Sequence, residues 1–450
     1  MSDIKAKNEI LILGGGISGL ATAWYLHKAG IPFKLFEKKS ETGGSISSSV
    51  TNQSVMDFGP NSLRDQNGEI RIISQELGIQ NDLIQISEAF KTRFIVRYGE
   101  LQALEPGIGS LISTKILSGK GKLRILAEPF ISKGKEEDES VGDFLERRVG
   151  KEAVEYLVDP IFSGIYAGDI YQMSKYEILG KMADLEQEFG SLFWGMLRTK
   201  KEKKPEDAVE PMVLTFKKGI QQLTNAISDK LSDHIIHEEV TGLQRVVSGF
   251  KVETKDGSYD ASRVISCIPA YSLPRILKGF GTYISEALNE IDYPPMVSTQ
   301  LIYNREAISS QKTGFGFLVP RKENIRLLGA IWKTSLFPEL SGADKVQFTL
   351  MTGGAHDRNV ISDSMEKIEQ EIISEFSTLM GISEKPGFVK SKLWEKAIPH
   401  LTVGYQKVRQ SIIQAEEEYP GLFIGGNYRW GISVPDCVQG ASKLVQKLKS

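Results

Sequence analysis

Gly14, Gly16 and Gly19 stand in Gly-x-Gly-x-x-Gly spacing directly after the apolar run Glu9-Ile10-Leu11-Ile12-Leu13. Placed after a strand, such glycines suit a pyrophosphate. The first permits a tight turn, the second lets backbone N–H groups approach the phosphates, and the third lets the following helix pack on the strand. Ile17 and Ser18 open that helix, where unpaired N–H groups and the helix dipole favour negative charge. Glu37 closes a second apolar run, Phe33 to Phe36. Its carboxylate is placed to accept hydrogen bonds from both hydroxyls of an adenosine ribose, so the nucleotide should lack a 2′-phosphate.

The elements that must position these residues follow in order. A helix is expected from about Ile17 to Ala29, with Leu20, Ala23, Trp24 and Leu26 or His27 inward, ended by Gly30-Ile31-Pro32. Strand, glycine loop, helix, strand and terminal acid make a dinucleotide-binding βαβ unit. Near the far end, Leu422-Phe423-Ile424, Gly425-Gly426-Asn427 and a helix-like Cys437 to Lys449 repeat the strand, glycine, helix grammar without a second ribose acid. A helix N-terminus of that kind suits the other end of a long dinucleotide, where N–H groups stabilise negative charge on a reduced isoalloxazine ring. Flavin fits better than nicotinamide, and the chain should fold back on itself around FAD.

Between these ends the pattern is mixed. Ser140 to Gly150 and Glu152 to Val158 have helical spacing; Val240 to Val252 and Arg263 to Ile268 read as strands, with Asp256-Gly257 as a hairpin turn. Lys133 to Glu139 and Thr199 to Pro211 are too polar to be buried. A chain of 450 residues exceeds what one core usually serves, so two or three domains are expected.

Net charge −2 and pI near 6.3 argue against nucleic acid as a main partner. Two cysteines, Cys267 and Cys437, exclude a disulfide framework and suit a reducing compartment. Neither these nor the five histidines have metal-ligand spacing. Met1 to Asn8 lacks an apolar signal core, and no run of about eighteen apolar residues occurs, so no membrane span and a cytoplasmic location are expected.

After the ribose acid come Thr42-Gly43-Gly44-Ser45-Ile46 and Asp57-Phe58-Gly59-Pro60-Asn61-Ser62, which resemble the amine-oxidase-type flavoprotein superfamily. Within it, Asp159-Pro160-Ile161-Phe162-Ser163-Gly164-Ile165-Tyr166-Ala167-Gly168-Asp169 closely resembles a signature of the protoporphyrinogen oxidases. Phe216 to Leu223, Ile268-Pro269-Ala270, Gly314 to Pro320, Ala397 to His400 and Phe423 to Gly440 extend the resemblance over essentially the whole chain. Many relatives place an arginine near the second glycine pair, whereas this chain has Glu41, Thr42 and Ser45; Lys38 and Lys39 are possible substitutes.

The resemblance implies a Rossmann-type FAD-binding domain assembled from residues 8–60, 212–271 and 417–450. It further implies a mixed α+β substrate-binding domain (61–88, 187–211 and 272–416) and a helical, membrane-facing subdomain (89–186). Cofactor contacts implied besides the glycines, Ile17, Ser18 and Glu37 are Lys38, Gly43, Gly44, Ser45, Gly59, Pro60, Asn61, Val240, Trp394, Gly426, Asn427, Ile432, Ser433 and Val434. The implied activity is oxidation of protoporphyrinogen IX to protoporphyrin IX in heme biosynthesis, six electrons passing through FAD to oxygen to give hydrogen peroxide. A methylene bridge between pyrroles can release hydride to flavin N5 because the pyrrole nitrogens delocalise the positive charge, so no strong protein base is obligatory.

A wide apolar macrocycle bearing carboxylates needs apolar walls and a cation at the rim. By its position in the family pattern, the resemblance implies Arg93 for the carboxylate, with Arg64 and Arg97 as competitors, and alternation would aim Arg93 and Ile95 to one strand face. The walls implied are Leu318 and Phe337, with Gly164 giving room and Asn61 where flavin and substrate meet. Coproporphyrinogen III is the nearest alternative substrate; an amine oxidase, a carotenoid desaturase and a silent flavin or tetrapyrrole carrier are others. Leu111, Ile112, Lys115, Ile116, Leu117, Lys120, Lys122, Arg124, Ile125 and Leu126 interleave apolar side chains with cations, as a surface resting on an anionic bilayer or an amphipathic helical subdomain would.

Overall fold

Short apolar runs without alternation belong in a sheet covered on both faces. Ile10–Leu13 and Phe33–Phe36 lie inside a parallel sheet ordered Ile235–Ile236, Phe33–Phe36, Ile10–Leu13, Arg263–Ser266, Leu422–Ile424. This is a computed structural model describing residues 9–51, 54–105, 107–134, 138–199, 209–308 and 312–449. Met1 to Asn8, Lys135 to Glu137, the lysine-rich Lys200 to Asp207, and the side chains of Leu111 and Ile112 lie outside it.

The last strand joins the sheet through Arg263–Ser266 rather than beside the first. The two ends of the chain meet one layer above, where helices Ile17–Lys28 and Val434–Lys449 bury Leu20, Trp24, Val438 and Ala441 in one core. The terminal helix begins three residues before Cys437 because Pro435 is tolerated in a first turn, where its missing N–H would be unpaired anyway. On the other sheet face, Leu11, Leu13 and Val264 pack against Phe250, Val252 and Ala261 of a second, four-stranded sheet.

A seven-stranded sheet forms the other half of the molecule, in the order Phe388–Trp394, Met296–Asn304, Lys345–Gly353, Leu327–Ile331, Gly316–Leu318, Arg93–Arg97, Glu100–Leu104. The structure draws the domain boundaries differently from expectation in three places. The Arg93–Arg97 and Glu100–Leu104 hairpin, turned at Tyr98 and Gly99 with positive φ at both, completes this sheet instead of joining the helical part. Residues 63–77 pack with the nucleotide-binding core, since Leu63, Ile70, Ile73 and Leu77 are buried beside Leu20 and Leu214, whereas Ile84 and Ile86 are buried against Leu336, Phe337 and Leu340. Helix Leu192–Thr199 packs in the helical unit, with Leu192 among Val141, Phe144 and Met173.

That helical unit holds a fully buried Arg148 between Glu128 and Glu186. Glu128 also accepts from the N–H groups of Leu192 and Phe193, so it caps the Leu192–Thr199 helix from across the unit. No helix among the described residues is long and apolar enough to cross a membrane.

Candidate active site

The glycine loop is built as its spacing requires. Gly14 has φ +101° and lies against Ile268. A Cβ on Gly19 would stand 1.9 Å from the carbonyl oxygen of Gly14, so nothing larger than hydrogen fits between helix and turn. Gly16 differs: a Cβ there would meet nothing nearer than Gly44 Cα, at 3.9 Å. The protein itself therefore does not require glycine at Gly16, and the open space above it is where a ligand's phosphates fit. The helix begins there without a side-chain cap and without an acidic residue in its first turn, leaving its N–H groups for an anion.

Gly43 is drawn against this loop by its N–H, which donates to Gly15 O at 2.8 Å, and Gly44 faces Gly16. Glu37 Oε2 accepts from Gly15 N–H at 2.8 Å and Oε1 from Lys39 N–H at 3.0 Å. Each carboxylate oxygen keeps a lone pair for a ribose hydroxyl. Lys38 is exposed beyond it, and Val240 opens the strand that follows Ile236, whose carbonyl receives Glu37 N–H.

At the other end, Gly426 has φ +118°, and Asn427, Ile432 and Ser433 are partly buried before the terminal helix. Ser433 Oγ accepts from Asp436 N–H at 3.2 Å, and Cys437 N–H donates to Ser433 O. Pro435 has no N–H to offer. This helix consequently keeps few first-turn donors, Val434 N–H among them.

Ser45 lies exposed after the glycine pair, and a Cβ on Gly59 would sit 2.1 Å from its carbonyl oxygen, so the 43–46 and 57–61 loops touch backbone to backbone. Pro60 and Asn61 form the partly exposed lip. Asn61 is held twice from the seven-stranded-sheet half: its Oδ1 lies 3.0 Å from Thr349 Oγ1, and its carbonyl accepts from Lys333 Nζ at 3.0 Å. Lys333 Nζ also pairs with Asp57 Oδ2 at 2.8 Å, both side chains being 1% exposed. Asp57 Oδ1 takes Ile220 N–H at 2.9 Å, and Asp57 O takes Gln300 Nε2 at 2.8 Å. Trp394 Nε1 donates to Phe58 O at 2.8 Å, fixing the same loop from the Phe388–Trp394 strand.

Of the expected substrate residues, Arg93 and Leu318 fall on the seven-stranded sheet and Gly164 on the helix Asp159–Tyr166 that faces it. A Cβ on Gly164 would be 2.6 Å from Leu318 Cδ2, so the two face each other, with Leu318 partly exposed. Arg93 is exposed, lies 5.6 Å from the Phe315 ring centroid and makes no ion pair among the described residues. Of its competitors, Arg97 is stacked 3.5 Å from the Tyr156 ring centroid and lies 3.9 Å from Glu152, while Arg64 is exposed on the Leu63–Asp65 strand. Ile95 is buried although it shares Arg93's strand face, because the sheet is covered there and Arg93 stands at its margin. Phe337 differs from its expected place on the wall: it is 0% exposed, packed with Leu336 and Leu340 and bordered by Phe315, so it stands behind the wall. Burial pushes both cysteine thiols up to about 12, which makes them inert at neutral pH.

The node that Lys333, Gln300 and Thr349 form around Asp57 and Asn61 carries no motif on those three residues. The one available signal was a lysine inside the apolar stretch Ala330-Ile331-Trp332-Lys333, which a buried partner must compensate.

Residues 17–446 match the model of the flavin containing amine oxidoreductases. The chain belongs to that family. It is 28% identical to protoporphyrinogen oxidase 2, chloroplastic/mitochondrial, of Arabidopsis thaliana, over 97% of this chain and 92% of that one. It is 25% identical to coproporphyrinogen III oxidase of Bacillus subtilis (strain 168), over 99% of this chain and 98% of that one. A crystal structure from Exiguobacterium sp. 255-15 superposes with a TM-score of 0.85 at 21% identity over 98% of both chains, which shows a shared fold. The family cofactor is FAD, and the uncapped helix at Gly16, the glycine pair and Glu37 are suited to hold it.

Proposed function

We propose that the chain is an FAD-dependent oxidase of protoporphyrinogen IX, forming protoporphyrin IX in heme biosynthesis with oxygen as acceptor and hydrogen peroxide as product. The observation that carries this reading is Arg93, an exposed guanidinium without an ion pair among the described residues, over Phe315 on the sheet that also holds Asn61 through Thr349. Bound FAD supplies the acceptance of hydride and its passage to oxygen.

The protein's own residues position and desolvate. Arg93 takes a propionate, Leu318 opposite Gly164 supplies the apolar wall, and Phe315 backed by Phe337 keeps Arg93 against an aromatic face. Asn61, immobilised by Lys333 and Thr349, sets the distance between the flavin and substrate spaces. No strong protein base is obligatory, since hydride loss leaves an acidic pyrrole N–H whose proton can pass to solvent.

Anaerobic mixing with protoporphyrinogen IX should bleach the flavin, and admitting air should restore its colour with release of peroxide. A flavin left oxidised by every porphyrinogen tested would end the proposal. Coproporphyrinogen III is the second reading, favoured by the Bacillus subtilis relative, and faster bleaching by it would replace the first. Arg93→Ala should raise the apparent KM roughly 10- to 100-fold, as expected for losing one charge-assisted hydrogen bond, with FAD retained. Unaltered kinetics would remove Arg93 from the site.

The same reading places the protein on the cytoplasmic face of an anionic membrane, through an exposed apolar rim beside Glu128. Phe130 is 87% exposed there, Leu123 and Leu126 precede it, and Phe193 and Trp194 begin the helix that Glu128 caps. Lys115 and Lys120 are exposed nearby in sequence. Phe130→Glu combined with Trp194→Glu should weaken sedimentation with anionic liposomes at least about tenfold, since two aromatic burials are lost. Equal sedimentation of the two proteins would remove this face from the membrane.

A further inference from the structure

The segment Gly43 to Ser49, which links the glycine pair to the Asn61 loop, carries no charged residue of its own. A cation reaches it from the other half of the molecule. Lys392, on the Phe388–Trp394 strand, donates from Nζ to Ser47 Oγ at 2.8 Å, with its ammonium 4.3 Å from the Trp394 ring centroid. Lys390, two residues earlier on the same strand face, stands 3.4 Å from Ser49 Oγ and 5.5 Å from the Phe58 ring centroid.

Neither lysine makes an ion pair among the described residues, their hydrogen bonds going to serine hydroxyls. Lys392 is partly buried, and burial together with the ammonium groups of Lys39 and Lys390 pushes its pKa below the ordinary lysine range; Glu41 opposes this from a distance. A partly desolvated ammonium surrounded by like charges, with one hydroxyl as its polar partner, is costly in the protein alone. It becomes favourable once an anion arrives.

Position selects the anion. Ser47 follows the glycine pair that faces Gly16, and Lys39 follows the ribose acid Glu37 by two residues, so these cations gather toward the phosphate side. Trp394 and Phe58, bonded to each other through the Trp394 N–H, adjoin the Asn61 side. We propose that Lys392 is the cation that pairs with the cofactor's pyrophosphate, delivered across Ser47 from the sheet that carries the substrate site. Closing the substrate half onto the nucleotide half then helps retain FAD.

Lys392→Met keeps the length and the contact with Trp394 but removes the charge; Lys392→Arg keeps the charge. Dilution of each holoenzyme, with flavin fluorescence reporting release, should show FAD held about 10- to 100-fold more weakly by the methionine variant and close to wild type by arginine. Affinity in the methionine variant should also fall less steeply with salt, and the midpoint potential of flavin that stays bound should not move. Lys392→Gln serves as the second neutral variant if methionine fails to fold. Unchanged FAD affinity in a folded neutral variant would falsify the proposal. A lowered potential with unchanged affinity would overturn it as well, by assigning the ammonium to the reduced ring. Both readouts are independent of which porphyrinogen is oxidised.

Discussion

Gly16→Val should yield a folded protein that purifies without flavin. The backbone at Gly16 has φ −72°, within reach of any residue, and its Cβ direction is clear of protein atoms to 3.9 Å. Valine therefore adds its carbons to the space above the helix N-terminus, where the phosphates must lie against the N–H groups. FAD affinity should fall by more than about 1,000-fold, or about 4 kcal/mol at roughly 1.4 kcal/mol per tenfold. The urea midpoint should stay near that of flavin-free wild type. Gly19→Ala provides the contrast: its methyl would fall 1.9 Å from Gly14 O, so the turn must move and stability itself should drop by roughly 1–3 kcal/mol. A yellow Gly16→Val protein with a full complement of FAD would refute the placement of the phosphates.

Lys333→Met should be the most destabilising single change at the node. Lys333 and Asp57 are buried together, and Asp57 would keep its hydrogen bonds from Ser48 and Ile220 while losing its charged partner. An uncompensated carboxylate in such a place costs about 3–5 kcal/mol. Removing both charges, as Lys333→Met with Asp57→Asn, should recover part of that loss, because replacing a buried pair is far cheaper than breaking it. Urea unfolding of the two variants checks the order, and near-ultraviolet and flavin circular dichroism should report a loosened Asn61 loop in both. If Lys333→Met unfolds at the wild-type midpoint, the ion pair does not join the two halves as described.

The parts of the molecule legible in the sequence are those governed by short-range rules. Gly14, Gly16 and Gly19 after an apolar run, and Glu37 after the next, fix a local βαβ geometry whatever lies around them. The helix from Ser140 to Gly150, the Asp256-Gly257 turn and the strand at Leu422–Ile424 were visible for the same reason. Domain boundaries were less so. The Arg93–Leu104 hairpin and the Glu69–Leu77 helix carry ordinary amphipathic patterns, and such a pattern states that a face is buried without stating against what.

The sequence by itself determined that a glycine turn between strand and helix begins at Gly14, that Glu37 closes the next strand, and that a matching strand and helix wait near the C-terminus. Only the tertiary structure decided that Arg263–Ser266 separates the first and last strands, that Phe337 stands behind the wall, and that Lys333 and Lys392 come to the cofactor loops from residues far along the chain. The physical reason is range. Turn conformation and helix starts depend on neighbours a few residues away, whereas the partner of a buried charge is chosen by which surfaces meet when the sheets close.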